Sequence, residues 1–286
     1  MDFPKRWRAS VDGDFQLKSV DTDPPRSERE RDENERRLED AVARLDKLQR
    51  VLHADGRYAV LLVFQAMDAA GKDGTIRAVM TGINPAGCRV TAFKRPSVEE
   101  LAHDFLWRVG RALPERGQIG VFNRSHYEEV LVVKVHPEFL SAQKLPDHGR
   151  ELWEERYASI RSFERHLARN GTIILKFWLH VSAEEQKRRL IERIDDPEAQ
   201  WKHNAGDVAE RQHWSAYMKA YESAISETSR PWAPWYVIPA DNKAAMRAAV
   251  AETIVDTLRA LDLSYPEVPD DERAALAVAR ATLTNE

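Results

Sequence analysis

The chain has a single cysteine, Cys88, among 286 residues. That excludes an intrachain disulfide and any zinc site built from cysteines. No apolar run approaches the ~20 residues needed to span a bilayer. The opening stretch MDFPKRWRAS lacks the apolar segment of a secretory signal, so a cytoplasmic protein with no membrane partner is expected. Positive charge is not in excess either. The formal net charge is −4, which argues against a general nucleic-acid binder. A polyanion site in this chain must therefore gather its cations locally. No internal repeat is present, and 43% hydrophobic with 31% charged residues suits a soluble globular enzyme.

What is present reads as alternating strands and helices. Residues 1–27 form an N-terminal arm without periodicity, ended by Pro24-Pro25. Ser27 and Glu30 offer a capping box, and Leu38, Val42, Leu45, Leu48 and Leu52 then recur at helical spacing. The mixed charges of RSERERDENERR suit a solvated helix face better than a binding tail. Apolar runs at 58–65, 88–93, 118–123, 172–181 and 235–239 predict five strands, with helical patterns between them. Ser182 with Glu185, and Asp207 with Glu210, mark two further helix starts, and Met246, Val250, Ile254, Leu258 and Leu261 a last core helix. This alternation predicts an α/β fold with a parallel sheet between helices. Residues 28–264 read as the main domain and 265–286 as a tail with an alanine-rich helix.

The stretch FQAMDAAGKDGTI, residues 64–76, lies between a predicted strand and a helix. It resembles a phosphate-binding loop, G-x-x-x-x-G-K-[ST], but Ala66 replaces the first glycine and Asp73 the hydroxyl residue. Ala70, Gly71, Lys72, Asp73, Gly74 and Thr75 are the expected phosphate contacts, through backbone amides at a helix start and the Lys72 charge. Carboxylates beside phosphates repel them unless a divalent cation intervenes. Asp68 is therefore the candidate Mg²⁺ ligand, and Asp73 the candidate cap of the helix N-terminus, favoured by the dipole. After the third predicted strand, Asn123-Arg124 occupies the place where a phosphate-loop enzyme usually keeps a carboxylate. Arg124 can clamp a transferring phosphoryl group, or simply pair with Glu128, itself a metal or base candidate. Lys94 and Arg95 lie just past a strand end, where open α/β sheets bind ligands. Arg108 and Arg111 follow. Arg189 and Arg193 share a helix face, with Leu190 and Ile194 expected to pack and the arginines to face the site. His126 reads as structural, and His103, His136 and His203 show no metal-ligand spacing. The aromatic cluster Trp201, Trp214, Tyr217, Tyr221, Trp232, Trp235 and Tyr236 reads mostly as packing.

With these motifs in hand, residues 55–247 resemble the polyphosphate kinase 2 family. The stretches that carry the likeness are FQAMDAAGKDGTI, NPAG, FKRPS, ELAHDFLWR, GVFNRSHYEEVLV, LHVSAEEQKRRL, Asp196-Pro197…Trp201-Lys202 and APWYVIPADNK. The resemblance implies a P-loop kinase fold of thymidylate-kinase type with a helical lid over a basic channel, here about residues 183–225. It implies Mg²⁺ and transfer of a terminal phosphoryl group from inorganic polyphosphate to adenine or other purine nucleotides. Asn123 suggests the subgroup that accepts both AMP and ADP. Asp68, Lys72, Asn123, Arg124 and Glu128 match the family's catalytic positions. Arg189, Arg193, Lys202 and Arg211 fall in its lid, and a homo-oligomer, dimer or tetramer, is implied. Ala199 stands where relatives often carry lysine, and Glu129 where aspartate is common. Two other readings of the same loop are an ATP-dependent nucleoside monophosphate kinase and a nucleotide-binding switch. Ala245, in NKAA, opposes the guanine-specific form of the switch, which requires N-K-x-D.

Overall fold

A computed structural model of the chain describes residues 3–146, 149–202 and 204–285, with only the backbone of Arg150, Lys202 and Ala205. His203 lies outside the described residues. The five predicted strands form within one residue of their expected ends: β1 Ala59–Ala66, β2 Cys88–Ala92, β3 Ile119–Asn123, β4 Thr172–His180 and β5 Trp235–Pro239. All pair in parallel, in the order β2-β3-β1-β4-β5. The central strand β1 is buried along its whole length, which is why its sequence is a continuous apolar run rather than an alternation. Every strand delivers its C-terminal end to one edge of the sheet, and the motifs singled out above sit in the loops beyond it.

The main helices are α1 Arg31–Asp55, α2 Lys72–Met80, α3 Leu152–Arg169, α4 Ala183–Asp195, α5 Ala205–Glu210, α6 Trp214–Thr228, α7 Lys243–Arg259 and α8 Asp270–Thr284. Helix α1 lies along α7, with Leu45, Leu52, Val250, Ile254 and Leu258 buried. Helix α8 buries none of its residues. Among the described residues no helix is long and apolar enough to cross a membrane.

Two helix starts differ from expectation. Ser27 lies in a 3-10 turn, Arg26–Glu28, and α1 begins at Arg31. Its entry is held instead by buried Asn34, which donates to the carbonyls of Glu28 and Glu30 at 2.7 and 2.8 Å. Asp207 does not cap either: Asn204 caps α5, accepting from Gly206 N at 2.9 Å. The predicted helix over 207–226 is thus broken into α5, a 3-10 turn Arg211–His213, and α6. The N-terminal arm, aperiodic in sequence, docks on the sheet. Ala9 N donates to Trp235 O and Trp7 O accepts from Val237 N, both at 2.8 Å, so the arm covers the edge of β5.

Two buried polar features sit behind the sheet. The Lys176 ammonium donates to Glu164 at 2.6 Å, the Thr228 carbonyl at 2.8 Å and the Tyr127 hydroxyl at 2.9 Å. His126 is buried beside this cluster, 3.6 Å from Glu164, in keeping with a structural role. At the end of β4, burial pulls the His180 imidazole from its ordinary 6.5 down to about 4, against Asp241 and Asp21, which favour its charged form. The unfolded chain therefore binds more protons between these values, and His180 costs stability progressively as pH falls from 6.5 towards 4. The loss amounts to about 3 kcal/mol at the acid end. His180→Phe is expected to flatten the fall of Tm over this window; an unchanged slope would show that His180 is not the group responsible.

Candidate active site

The site is built on the loop between β1 and α2. Ala69 at φ 60° and Gly71 at φ 100° turn the chain sharply, so that the first amides of α2 point out of the sheet edge. The amides of Lys72, Asp73 and Gly74 have no partner among the described residues, as an anion cradle requires. Two expected phosphate contacts are corrected here. The Ala70 amide is already bonded to Met67 O at 3.2 Å. Thr75 is fully buried, its hydroxyl donating to Gly71 O at 3.0 Å. The cradle is therefore shorter than the sequence suggested, and no loop hydroxyl is presented for a metal.

The Lys72 side chain makes no hydrogen bond or ion pair among the described residues. Burial holds its pKa below the ordinary lysine value and Arg124 adds to this, while Asp73, Glu128 and Asp68 act in the opposite sense. Arg124 follows β3 in the left-handed region, φ 63°, its amide bonded to Phe64 O at 3.1 Å. This backbone turn aims the side chain across β1, where it donates to Asp68 at 2.6 Å and to Glu128 at 2.9 Å. The two carboxylates, Glu128 foremost, hold the guanidinium charged beyond its ordinary strength, against burial. Gln65 links the chain further. In the orientation that satisfies both ends of its amide, it donates to Glu128 at 2.9 Å and accepts from Ser125 at 3.1 Å. Asp73 lies in the first turn of α2 but makes no cap; its carboxylate accepts from Asn123 Nδ2 at 2.7 Å. Asn123 thus orients one acid of the loop and Arg124 the other.

Asp68, Lys72, Asp73, Asn123 and Arg124 line one cleft of about 740 Å³ together with Lys94, Arg189, Arg193, Asp207, Lys243 and Arg247. The expected lid cations behave differently from one another. Arg189 is buried, and its guanidinium is taken by Glu185 at 2.6 Å, Ala70 O at 2.7 Å and Ala240 O at 2.6 Å. It ties the phosphate loop to α4 rather than offering a free cation to a ligand. Arg193 lines the cleft and pairs with Asp207 at 2.8 Å. Ile194, expected to pack, is exposed, while Leu190 is buried. Arg211 does not line the cleft; it donates to Ala183 O and Gln186. The Lys202 side chain lies outside the described residues. On the other flank, Arg95 lines a neighbouring hollow that shares Lys94 with the cleft. The Arg108 side chain is largely consumed in packing, over the Phe93 ring, 3.6 Å from Glu100 and bonded to Lys94 O. Lys243 and Arg247 were missed from the sequence. Their signal was two cations one turn apart, directly after a strand end, hidden in a helix otherwise read as core.

The carboxylates do not form an all-protein metal cage: among the described residues no three acidic, histidine or cysteine side chains are grouped to hold an ion. Asp68 with Glu128 close by suits a hard cation that keeps water and takes its other oxygens from phosphates.

The family model Polyphosphate kinase 2 matches residues 28–265 of this chain. An ADP-polyphosphate phosphotransferase of Rhodopseudomonas palustris is 54% identical over 249 residues, covering 86% of each chain. An AMP/ADP-polyphosphate phosphotransferase of Meiothermus ruber is 47% identical over 267 residues, 92% of this chain and 96% of that one. The crystal structure of a polyphosphate kinase 2 from Arthrobacter aurescens TC1 superposes with a TM-score of 0.86 at 38% identity, covering 98% of this chain and 99% of that chain.

Proposed function

Because the chain belongs to the polyphosphate kinase 2 family, we propose that it moves the terminal phosphoryl group of inorganic polyphosphate to AMP and ADP, reversibly, with Mg²⁺. The observation that carries the reading is the Asp68–Arg124–Glu128 chain, whose Asp68 and Arg124 line one cleft with Lys72. Phosphoryl transfer asks little covalent chemistry of a protein and much positioning and charge neutralisation. The α2 amides and Lys72 bind donor oxygens. Arg124, already aimed by two carboxylates, exchanges part of that pairing for the group in transit. Asp68 would hold a divalent cation once Arg124 turns to the phosphates, and Glu128, bonded to Arg124, is placed to orient the acceptor oxygen. Mg²⁺, when bound, would supply positive charge that neutralises the phosphates. A cytoplasmic location and a homo-oligomeric state belong to the same reading, as does a lid of roughly residues 183–225 closing over the cleft.

With AMP as the sole acceptor, polyphosphate as donor and Mg²⁺ present, ADP is expected first and then ATP. AMP left untouched, with ADP converted when supplied in its place, would restrict the acceptor to diphosphates. Within the same assay, Asp68→Asn is expected to raise the Mg²⁺ concentration needed for half-maximal rate. Asp73→Asn, whose carboxylate is bonded to Asn123, is expected to raise it much less. The reverse ranking would move the metal to the start of α2.

A further inference from the structure

The cleft contains cations of two kinds. Arg124, Arg189 and Arg193 are matched by carboxylates of the protein. The side chains of Lys243 and Arg247, on the first two turns of α7, line the same cleft without a hydrogen bond or ion pair among the described residues. Arg247 Nε is buried with no hydrogen-bond partner among the described residues. Burial first, then the charges of Arg77, Arg189 and Arg31, push the Arg247 pKa down, with Glu35 the acidic neighbour acting against them. Arg77, exposed one turn along α2 from Asp73, is likewise without an ion pair among the described residues. Like charges gathered around a half-buried guanidinium destabilise the folded state unless an anion arrives. The contact with the phosphate loop is close: a Cβ on Gly74 would lie 3.3 Å from Arg247 Nη2.

The sheet order gives this cluster a direction. Lys94 and Arg95 follow β2 at one edge, Arg124 and Lys72 follow β3 and β1 in the middle, and Lys243 and Arg247 follow β5 at the far edge. A donor whose terminal phosphoryl group reaches Lys72 and Arg124 must continue away from the acceptor. In a nucleoside triphosphate that continuation is a sugar and a base; in polyphosphate it is more phosphate. We propose that Lys243, Arg247 and Arg77 form a second anion site, holding phosphates of the donor chain beyond those bound by the phosphate loop. The site rests on the polyphosphate reading above and makes affinity depend on donor length.

The test uses the full chain with Lys243→Gln, Arg247→Gln and the double variant, each compared with tripolyphosphate and with long-chain polyphosphate as donors. The double variant is expected to raise KM for the long chain on the order of five-fold or more, and KM for tripolyphosphate much less. Its log KM for the long chain should also depend less steeply on log salt concentration. Equilibrium binding of long-chain polyphosphate without nucleotide should weaken in parallel, and Arg247→Lys should recover part of it. Equal losses for short and long donors, or a rise confined to KM for AMP, would overturn the assignment. Lys243 is exposed, so its single substitution keeps the test open if the Arg247 variants fold poorly. Should the wild type itself ignore polyphosphate, the reading of function falls; a wild type that uses it, with variants blind to length, removes only this second site.

Discussion

Lys72→Ala is expected to fold normally and to lose on the order of a hundred-fold in kcat, about 3 kcal/mol of transition-state stabilisation. Among the described residues the ammonium makes no ion pair, so removing it strands no buried carboxylate among them. It stands at the first residue of α2, where alanine is well tolerated in a helix. What is lost is one fixed positive charge at the place where charge shifts between bridging and terminal oxygens. Since burial already lowers the lysine's pKa, the wild type should also lose activity at a lower alkaline pH than a free lysine would dictate. Arg124→Ala should differ in kind. It leaves Asp68 and Glu128 facing each other without their shared cation, so melting temperature and rate should fall together. Near-normal turnover in Lys72→Ala would mean that the reacting centre lies elsewhere.

Lys176→Met is expected to have the largest effect on stability, a loss of about 3–5 kcal/mol. The lysine sits fully buried in the middle of β4 and donates to three oxygens, one of them the Glu164 carboxylate at 2.6 Å. Without it, Glu164 keeps, among the described residues, the Tyr127 hydroxyl at 2.7 Å, with the His126 ring 3.6 Å away. An uncompensated buried carboxylate is the costly part, so adding Glu164→Gln should recover a good fraction. The loss corresponds to a fall in Tm on the order of 10 °C, readable by calorimetry. A fall of less than roughly 3 °C would mean that the pair contributes little beyond its packing. Tyr127 immediately precedes Glu128, so the same cluster anchors the turn that presents the Arg124–Glu128 pair. Loss of rate in excess of loss of fold would expose that link.

Most of the sheet was legible because buried parallel strands leave an unmistakable trace, short apolar runs at regular intervals between helical patterns. The phosphate loop was legible because strand, glycines, lysine and helix occur together. The N-terminal arm was not, since it is held by backbone bonds to β5, which impose no side-chain period. Capping signals misled twice for a shared reason. Ser27–Glu30 and Asp207–Glu210 have the right spacing, but Asn34 and Asn204 make the bonds, and Asp207 is committed to Arg193. Arg189 shows a further limit. Its spacing from Arg193 places both on one helix turn, yet only the tertiary structure reveals the carbonyls of Ala70 and Ala240 beside it. A cation that braces a phosphate loop and one that binds phosphate look alike in sequence. For the same reason Lys243 and Arg247 escaped notice, carried on the polar face of a helix whose apolar face supplied the stronger signal.

The central claim is the identity of the donor, and initial rates of AMP phosphorylation test it most directly. They are measured with polyphosphate and with ATP at matched concentrations of transferable phosphoryl groups, with Mg²⁺ in excess. A cleft whose far end offers cations predicts a much faster reaction with polyphosphate, and a rate that falls as salt screens the chain. An equal or faster rate with ATP would contradict the account and identify an ATP-dependent nucleoside monophosphate kinase built on the same sheet.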